Sequence, residues 1–386
     1  MNSLIFPTYI RREIEIVKGI GTKVMDRSGK EYLDFTSGIA VCNLGHCHPN
    51  LIENVTKQLH EMWHISNLFS HSIQEDVARL LTEDRELKYV FFCNSGAEAN
   101  EAALKIARKY TGKSLVLTFQ QSFHGRTFGT MSATGQEKVK EGFGPLLPSF
   151  LHLPFNDIAA LREAMNQDVA AILVEIVQGE GGVLLAHCDF LQEIEKLCKE
   201  YGALCIIDEV QTGIGRTGTL FAYEQTGLSP DIVTVAKALG NGIPVGAMIG
   251  REELAVAFTA GTHGSTFGGN YIAMAATKAV LQLAKQPSFL QEVKEKGAYF
   301  LQRLKQELLH VEDICAIRGR GLMVGTSCKK NVSSYIEQLE KEGLLALQAG
   351  SNVLRLLPPL IVTKEELEQA IYMIKKVICT KILPSI

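Results

Sequence analysis

Apolar residues recur along the chain in two rhythms. Short runs that are apolar almost throughout, near 88–93, 114–119, 169–177, 203–208, 231–236 and 244–249, predict buried strands. Between them, apolar positions three and four apart predict helices near 50–64, 74–84, 156–166 and 189–201, and an alanine-rich helix follows Asn94-Ser-Gly96. Strands with no polar face, separated by helices, predict an α/β domain whose sheet is parallel or mostly parallel and covered on both sides. Upstream, the alternation over Ile14 to Phe35 breaks at Asp26-Arg-Ser-Gly29, which predicts a turn between two short strands. From about Tyr271 the character changes: helices near 271–284, 288–309, 331–343 and 364–379 interleave with short strands at 322–327 and 353–357, predicting a smaller α+β domain. The expected division is an N-terminal segment 1–48 that packs with the small domain, a large domain 49–270 and a small domain 271–386.

In sheets of this kind ligands sit at the carboxyl ends of the strands, so the residues just beyond each apolar run carry the information. They are polar. Phe123-His-Gly-Arg126 follows one run, Glu175-Ile-Val-Gln-Gly-Glu180 the next, Asp208-Glu-Val-Gln211 the third, and Lys237 ends the fourth. A lysine among apolar neighbours is costly while charged, so its pKa falls and its neutral amine becomes a nucleophile able to form Schiff bases, pyridoxal phosphate among the possible carbonyl partners. A lysine that snorkels from a strand end is the plainer alternative for this residue alone. Where the alanine-rich helix opens, free backbone N–H groups and the small Gly96 suit a phosphate, although an ordinary strand-to-helix turn also needs a small residue. Arg355, inside the apolar strand Asn352-Val-Leu-Arg-Leu-Leu357, reads either as a structural ion pair or as a ligand clamp.

Composition narrows the classes. With 386 residues and 46% hydrophobic content the chain can bury a large core, and a formal charge of −3 without any basic block argues against nucleic acid or an anionic membrane as partner. Its nine cysteines are scattered and often lie in apolar runs, the usage of reduced thiols, and no apolar stretch reads as a signal peptide or a bilayer span. A cytoplasmic location is the expectation. Cys42-Asn-Leu-Gly-His-Cys-His-Pro49 does not have the spacing of a zinc finger or ribbon, so no metal site is expected. Gly213-Ile-Gly-Arg-Thr-Gly218 matches a dinucleotide fingerprint, but it begins several residues after its strand and opens no alanine-rich helix.

Taken together, Tyr32-Leu-Asp-Phe35, Gly45-His-Cys-His-Pro49, Asn94-Ser-Gly-Ala-Glu-Ala99, Phe123-His-Gly-Arg126, Asp208-Glu-Val-Gln-Thr-Gly213, Lys237, Gly264-Ser-Thr-Phe-Gly-Gly-Asn270 and Arg355 resemble the class III pyridoxal-phosphate aminotransferases of fold type I, the ornithine, acetylornithine and GABA group. The resemblance runs over nearly the whole chain. It implies that Lys237 holds the cofactor as a Schiff base and shuttles the substrate proton, and that Asp208 pairs with the pyridine nitrogen. Phe123 then stacks on the ring, Gln211 lies near its phenolic oxygen, and the backbone at Gly96 and Ala97 holds the phosphate, with Glu209 and Val210 in the same cofactor-binding stretch.

The same resemblance implies a homodimer in which Thr266 reaches the partner's cofactor phosphate, with Ser265 at the substrate entrance. Arg126 is then the clamp for the donor's α-carboxylate and Tyr9 lies near that carboxylate. Arg355 grips the oxoacid, 2-oxoglutarate, and Glu180 covers Arg355 while the donor is bound. Ile39 occupies a position where ornithine enzymes of the group carry a tyrosine, which argues against free ornithine and for the acetylornithine branch. Ornithine, GABA and succinyldiaminopimelate stay open as donors, and a nicotinamide oxidoreductase is the alternative outside the group. A non-catalytic binding protein is disfavoured by the presence of both Lys237 and Asp208.

Overall fold

The computed structural model describes residues 4–379. Its centre is a seven-stranded sheet in the order Leu87–Cys93, Gly246–Arg251, Ile232–Val235, Leu204–Asp208, Val169–Glu175, Leu115–Phe119, Phe150–Leu153. Gly246–Arg251 runs antiparallel to both its neighbours, and the pairings from Ile232–Val235 out to Phe150–Leu153 are parallel. The apolar runs are apolar because each strand feeds two cores. Ala171, Leu173, Leu204 and Ile206 pack on one face with Ala103, Ile106 and Ala107 of the helix Gly96–Thr111. Ile172, Val174, Cys205 and Ile207 pack on the other with Phe190, Leu191 and Ile194 of the helix Cys188–Tyr201. Alternate residues of one strand therefore face opposite helix layers, the signature of a sheet buried on both sides.

The C-terminal part forms an antiparallel sheet, Ile314–Arg320, Met323–Cys328, Val353–Leu356, Leu347–Ala349, packed against the helices Pro287–Leu308 and Lys364–Cys379. The N-terminal strands Ile16–Ile20, Lys23–Asp26 and Glu31–Asp34 complete a separate sheet with Leu344–Leu345, and Leu33 and Phe35 are buried in the C-terminal core, where Phe35 meets Phe300 edge to face at 5.9 Å.

Three departures from the sequence reading have local causes. The N-terminal segment has three strands rather than two, because Gly21, at φ +58°, makes a second turn that the apolar pattern does not mark. The helix expected over 50–64 stops at Leu59; Met62 and Trp63 continue its periodicity but lie exposed. The strand Ile314–Arg320 was not foreseen, since Arg318, Gly319 and Arg320 interrupt its apolar pattern.

Candidate active site

Parallel register brings distant carboxylates side by side. Asp208 lies opposite Glu175 on one neighbouring strand and Thr234 on the other. Because all three stand in phase with Leu173, Ile206 and Ile232, their side chains project under the helix Gly96–Thr111. Beyond these strand ends lies a cavity of about 380 Å³ lined by, among others, Gly96, Ala97, Phe123, Arg126, Val210 and Lys237. Asp208, Gln211 and Glu180 line it too.

Asp208 is fixed at both oxygens. Its Oδ1 accepts from Val210 N–H at 2.9 Å, and its Oδ2 accepts from Asn100 Nδ2 and contacts His124 Nδ1, both at 2.8 Å. Asn100 is held in turn by the His124 carbonyl and by the Thr234 hydroxyl, which donates to Asn100 Oδ1 at 2.7 Å. The His124 ring is fully buried. Neither His124 nor Asn100 stood among the residues singled out from sequence. The signal was an asparagine inside the second turn of an alanine-rich helix, past the capping position, where its propensity is poor and a tertiary partner justifies it.

Glu175, named from sequence only as a polar strand end, also lines the cavity. Its carboxyl is 6% exposed, accepts from Phe123 N–H at 3.2 Å, and is pushed well above the usual carboxylate range by burial first and by the Asp208 charge second. Lys237 follows its strand by two residues with φ +43°, a left-handed conformation that a non-glycine residue adopts only when its surroundings impose it. Burial pulls the Lys237 amine below its ordinary pKa, and Arg355 adds to this, while the Glu180, Asp208 and Glu175 charges oppose it. The cavity thus holds a lysine biased toward its nucleophilic form.

Gly96 and Ala97 open the helix Gly96–Thr111, so their N–H groups have no intrahelical acceptor, and the Ser95 side chain caps Glu98 N–H instead. A Cβ on Gly96 would sit 2.7 Å from Val210 Cγ1, which explains a glycine at this spot. Free amides, a desolvated lysine and a doubly anchored carboxylate around one cavity fit pyridoxal phosphate at its phosphate, aldehyde and ring nitrogen respectively.

Arg355 is 2% exposed and forms a forked pair with Glu180, Nη1 to Oε1 at 2.6 Å and Nη2 to Oε2 at 3.1 Å. Gln211 bridges them, accepting from Arg355 Nη1 at 3.1 Å and donating to Glu180 Oε1 at 3.2 Å. Burial would raise the Glu180 carboxyl, but the guanidinium more than offsets this and holds it below its usual range. Arg126 is exposed at the cavity rim, its guanidinium 5.7 Å from the centre of the Phe123 ring.

Four of the residues named from sequence lie elsewhere. Glu209 turns away from the cavity to accept from Tyr223 N–H at 2.8 Å and from the Thr212 hydroxyl, and burial raises its pKa to about 7. Ser265 and Thr266 line a second cavity of about 670 Å³ with His64, Asn67 and His263, and Asn94 Nδ2 donates to Ser265 Oγ at 3.2 Å. Tyr9 is 77% exposed and belongs to neither cavity lining. The Gly213–Gly218 loop sits beyond the strand end that Asp208 occupies and leads only into a short turn at Ala222–Gln225, so it lacks the helix a dinucleotide needs.

Fold and cavity together define a pyridoxal-phosphate-dependent transferase. Residues 8–378 match the family model for aminotransferase class-III, and the chain belongs to that family, whose cofactor is pyridoxal 5′-phosphate. It is 74% identical over 381 residues to an acetylornithine aminotransferase of Bacillus cereus, covering 99% of each chain. Among solved structures it resembles an ornithine aminotransferase from Toxoplasma gondii ME49, with a TM-score of 0.94 at 33% identity over 97% of this chain and 92% of that one. An N-acetylornithine aminotransferase from Stenotrophomonas maltophilia K279a matches with a TM-score of 0.84 at 35% identity over 96% and 97%.

Proposed function

We propose that this chain transfers the terminal amino group of N2-acetyl-L-ornithine to 2-oxoglutarate, giving N-acetyl-L-glutamate 5-semialdehyde and L-glutamate reversibly, a step of arginine biosynthesis in the cytoplasm. The observation that carries the donor is the 74% identity, over essentially the full length, to an acetylornithine aminotransferase. The high TM-score to an ornithine enzyme reports backbone shape, which the group shares, and does not weigh against it.

When bound, pyridoxal 5′-phosphate supplies the electron sink for the carbon that loses its proton. Lys237 Nζ would hold the cofactor through its aldehyde and would serve as the base and acid that carries the proton between the substrate carbon and the cofactor. Asp208, fixed by Asn100, His124 and Val210, keeps a negative charge against the pyridine nitrogen. The Gly96 and Ala97 amides would take the phosphate, Phe123 and Val210 would border the ring, and Gln211 would lie near its phenolic oxygen. Arg126 binds the donor's α-carboxylate, with Tyr9 approaching it at the entrance. While Glu180 covers Arg355, the guanidinium charge is matched and that end of the cavity accepts the donor's reacting end, which carries no carboxylate; when Glu180 swings away, the bare guanidinium takes the α-carboxylate of 2-oxoglutarate. Ser265 and Thr266 serve the neighbouring site in a homodimer. The domains divide at 48/49 and 270/271.

The test is product formation from four donors, acetylornithine, ornithine, GABA and succinyldiaminopimelate, each with 2-oxoglutarate. The expected result is the largest kcat/KM with acetylornithine. A larger value with ornithine or GABA would reassign the donor.

A further inference from the structure

The Gly213–Gly218 motif has no part in cofactor binding, yet it holds a buried cation. Arg216 is 0% exposed and forms no salt bridge among the described residues. Its Nη1 donates to two carbonyls, Leu322 at 2.9 Å and Pro358 at 2.6 Å, its Nη2 donates to Asn43 Oδ1, and its Nε has no partner. Burial lowers its pKa to about 9, which leaves it charged at neutral pH. A cation buried among neutral acceptors is a poor device for stability. What its three acceptors have in common is their place around Arg355.

Pro358 lies three residues beyond Arg355 on the same segment. Leu322 precedes the strand Met323–Cys328, whose Gly325 pairs with Arg355, and Leu322 N–H donates back to the Arg216 carbonyl at 3.1 Å. Asn43 accepts at its backbone carbonyl from Leu360 N–H at 2.7 Å and donates from Nδ2 to Ile214 O at 2.9 Å. The loop that carries Arg216 begins two residues after Gln211, which itself meets the Arg355 guanidinium. We infer that Arg216 is a positioning residue for the oxoacid half of the reaction: its fork ties the backbone just after Arg355 to the start of the strand paired with it, so that the Arg355 guanidinium meets a carboxylate at one defined place. This rests on the reading of Arg355 as the oxoacid clamp.

The experiment uses the holoenzyme and Arg216→Lys, which keeps the charge but loses the planar fork that spans both carbonyls and Asn43. Binding of glutarate, an unreactive dicarboxylate, is measured by calorimetry, alongside KM for 2-oxoglutarate and the single-turnover rate with acetylornithine. The loss of one charge-assisted hydrogen bond predicts glutarate affinity and the 2-oxoglutarate KM each weakened about tenfold, with the acetylornithine rate little changed. Asn43→Asp, which keeps an acceptor for Arg216 but loses the Nδ2 donation to Ile214, should leave glutarate affinity near wild type, whereas Asn43→Ala, which removes both, gives the same asymmetry as Arg216→Lys at smaller size and serves if the lysine variant does not fold. Unchanged glutarate affinity, or equal losses in the two half-reactions, overturns the inference. Failure of the wild-type enzyme to use acetylornithine would instead sink the proposed donor, leaving the glutarate comparison to judge Arg216.

Discussion

At the scale of single residues, the site works by setting charges against burial. Lys237 was legible in the sequence because a cation that ends an apolar run contradicts its surroundings, and Asp208 and Glu175 were legible for the same reason, whereas Glu180, further along its loop, took its role from the family resemblance. Asn100 and His124 were not, because what they do depends on meeting Asp208 across 108 and 84 residues of chain, a distance that only sheet order closes. Arg355 taken alone read as a structural ion pair somewhat before a clamp, and its forked contact with Glu180 is compatible with both, since a gate is an ion pair that opens. The two roles separate in Glu180→Ala. With Glu180 gone, the exposed Arg355 guanidinium captures a donor carboxylate in the wrong orientation, so the acetylornithine half-reaction should slow by about tenfold, the worth of one charge-assisted contact, while the glutamate half-reaction slows less. Stopped-flow measurement of each half-reaction reads this, and equal losses would make Glu180 a structural partner only.

At the scale of elements, the helix Gly96–Thr111 organises the cavity from above: its N-terminus offers amides, its Asn100 grips Asp208, and its alanines let it lie close to the sheet. The alanine-rich pattern made this helix easy to foresee. The need for Gly96 was visible only as a small residue in a turn, whereas the structure gives the reason, the Val210 side chain 2.7 Å from where a Cβ would be. Valine is stiff at χ1 and cannot swing aside cheaply, so Gly96→Ala should push the helix start away from the cradle. The expected outcome is cofactor retention weakened by about tenfold, from ~1–3 kcal/mol of overpacking, measured as pyridoxal-phosphate dissociation on dilution. Retention equal to wild type would remove this helix start from the phosphate cradle.

At the scale of the whole molecule, the N-terminal segment is tied into the C-terminal core through Leu33 and Phe35, and between them Asp34 pairs with His46 at 2.8 Å. The Asp34 carboxylate, and next the Cys42 contact, raise the His46 pKa from its ordinary 6.5 to about 10. A base whose pKa is raised on folding holds its proton in the folded chain where the unfolded chain has released it. Its stabilisation is therefore complete below pH 6.5 and drains away as pH rises toward about 10. The melting temperature of wild type should exceed that of His46→Gln most at pH 6 and progressively less toward pH 10; a pH-independent gap would mean the ring acts only by packing. None of this was legible in the sequence: the strand that carries Asp34 was foreseen after the Asp26–Gly29 turn, but nothing in the pattern says that its carboxylate meets the His46 ring.

Cofactor attachment and proton transfer both depend on one atom, Lys237 Nζ. Reduction of the purified protein with borohydride, followed by proteolysis and peptide mass mapping, locates the lysine that carries the cofactor. The predicted result is a pyridoxyl-phosphate mass on the peptide containing Lys237 and on no other. Label on a different lysine, or none after incubation with excess pyridoxal phosphate, would contradict the site and the reaction drawn from it.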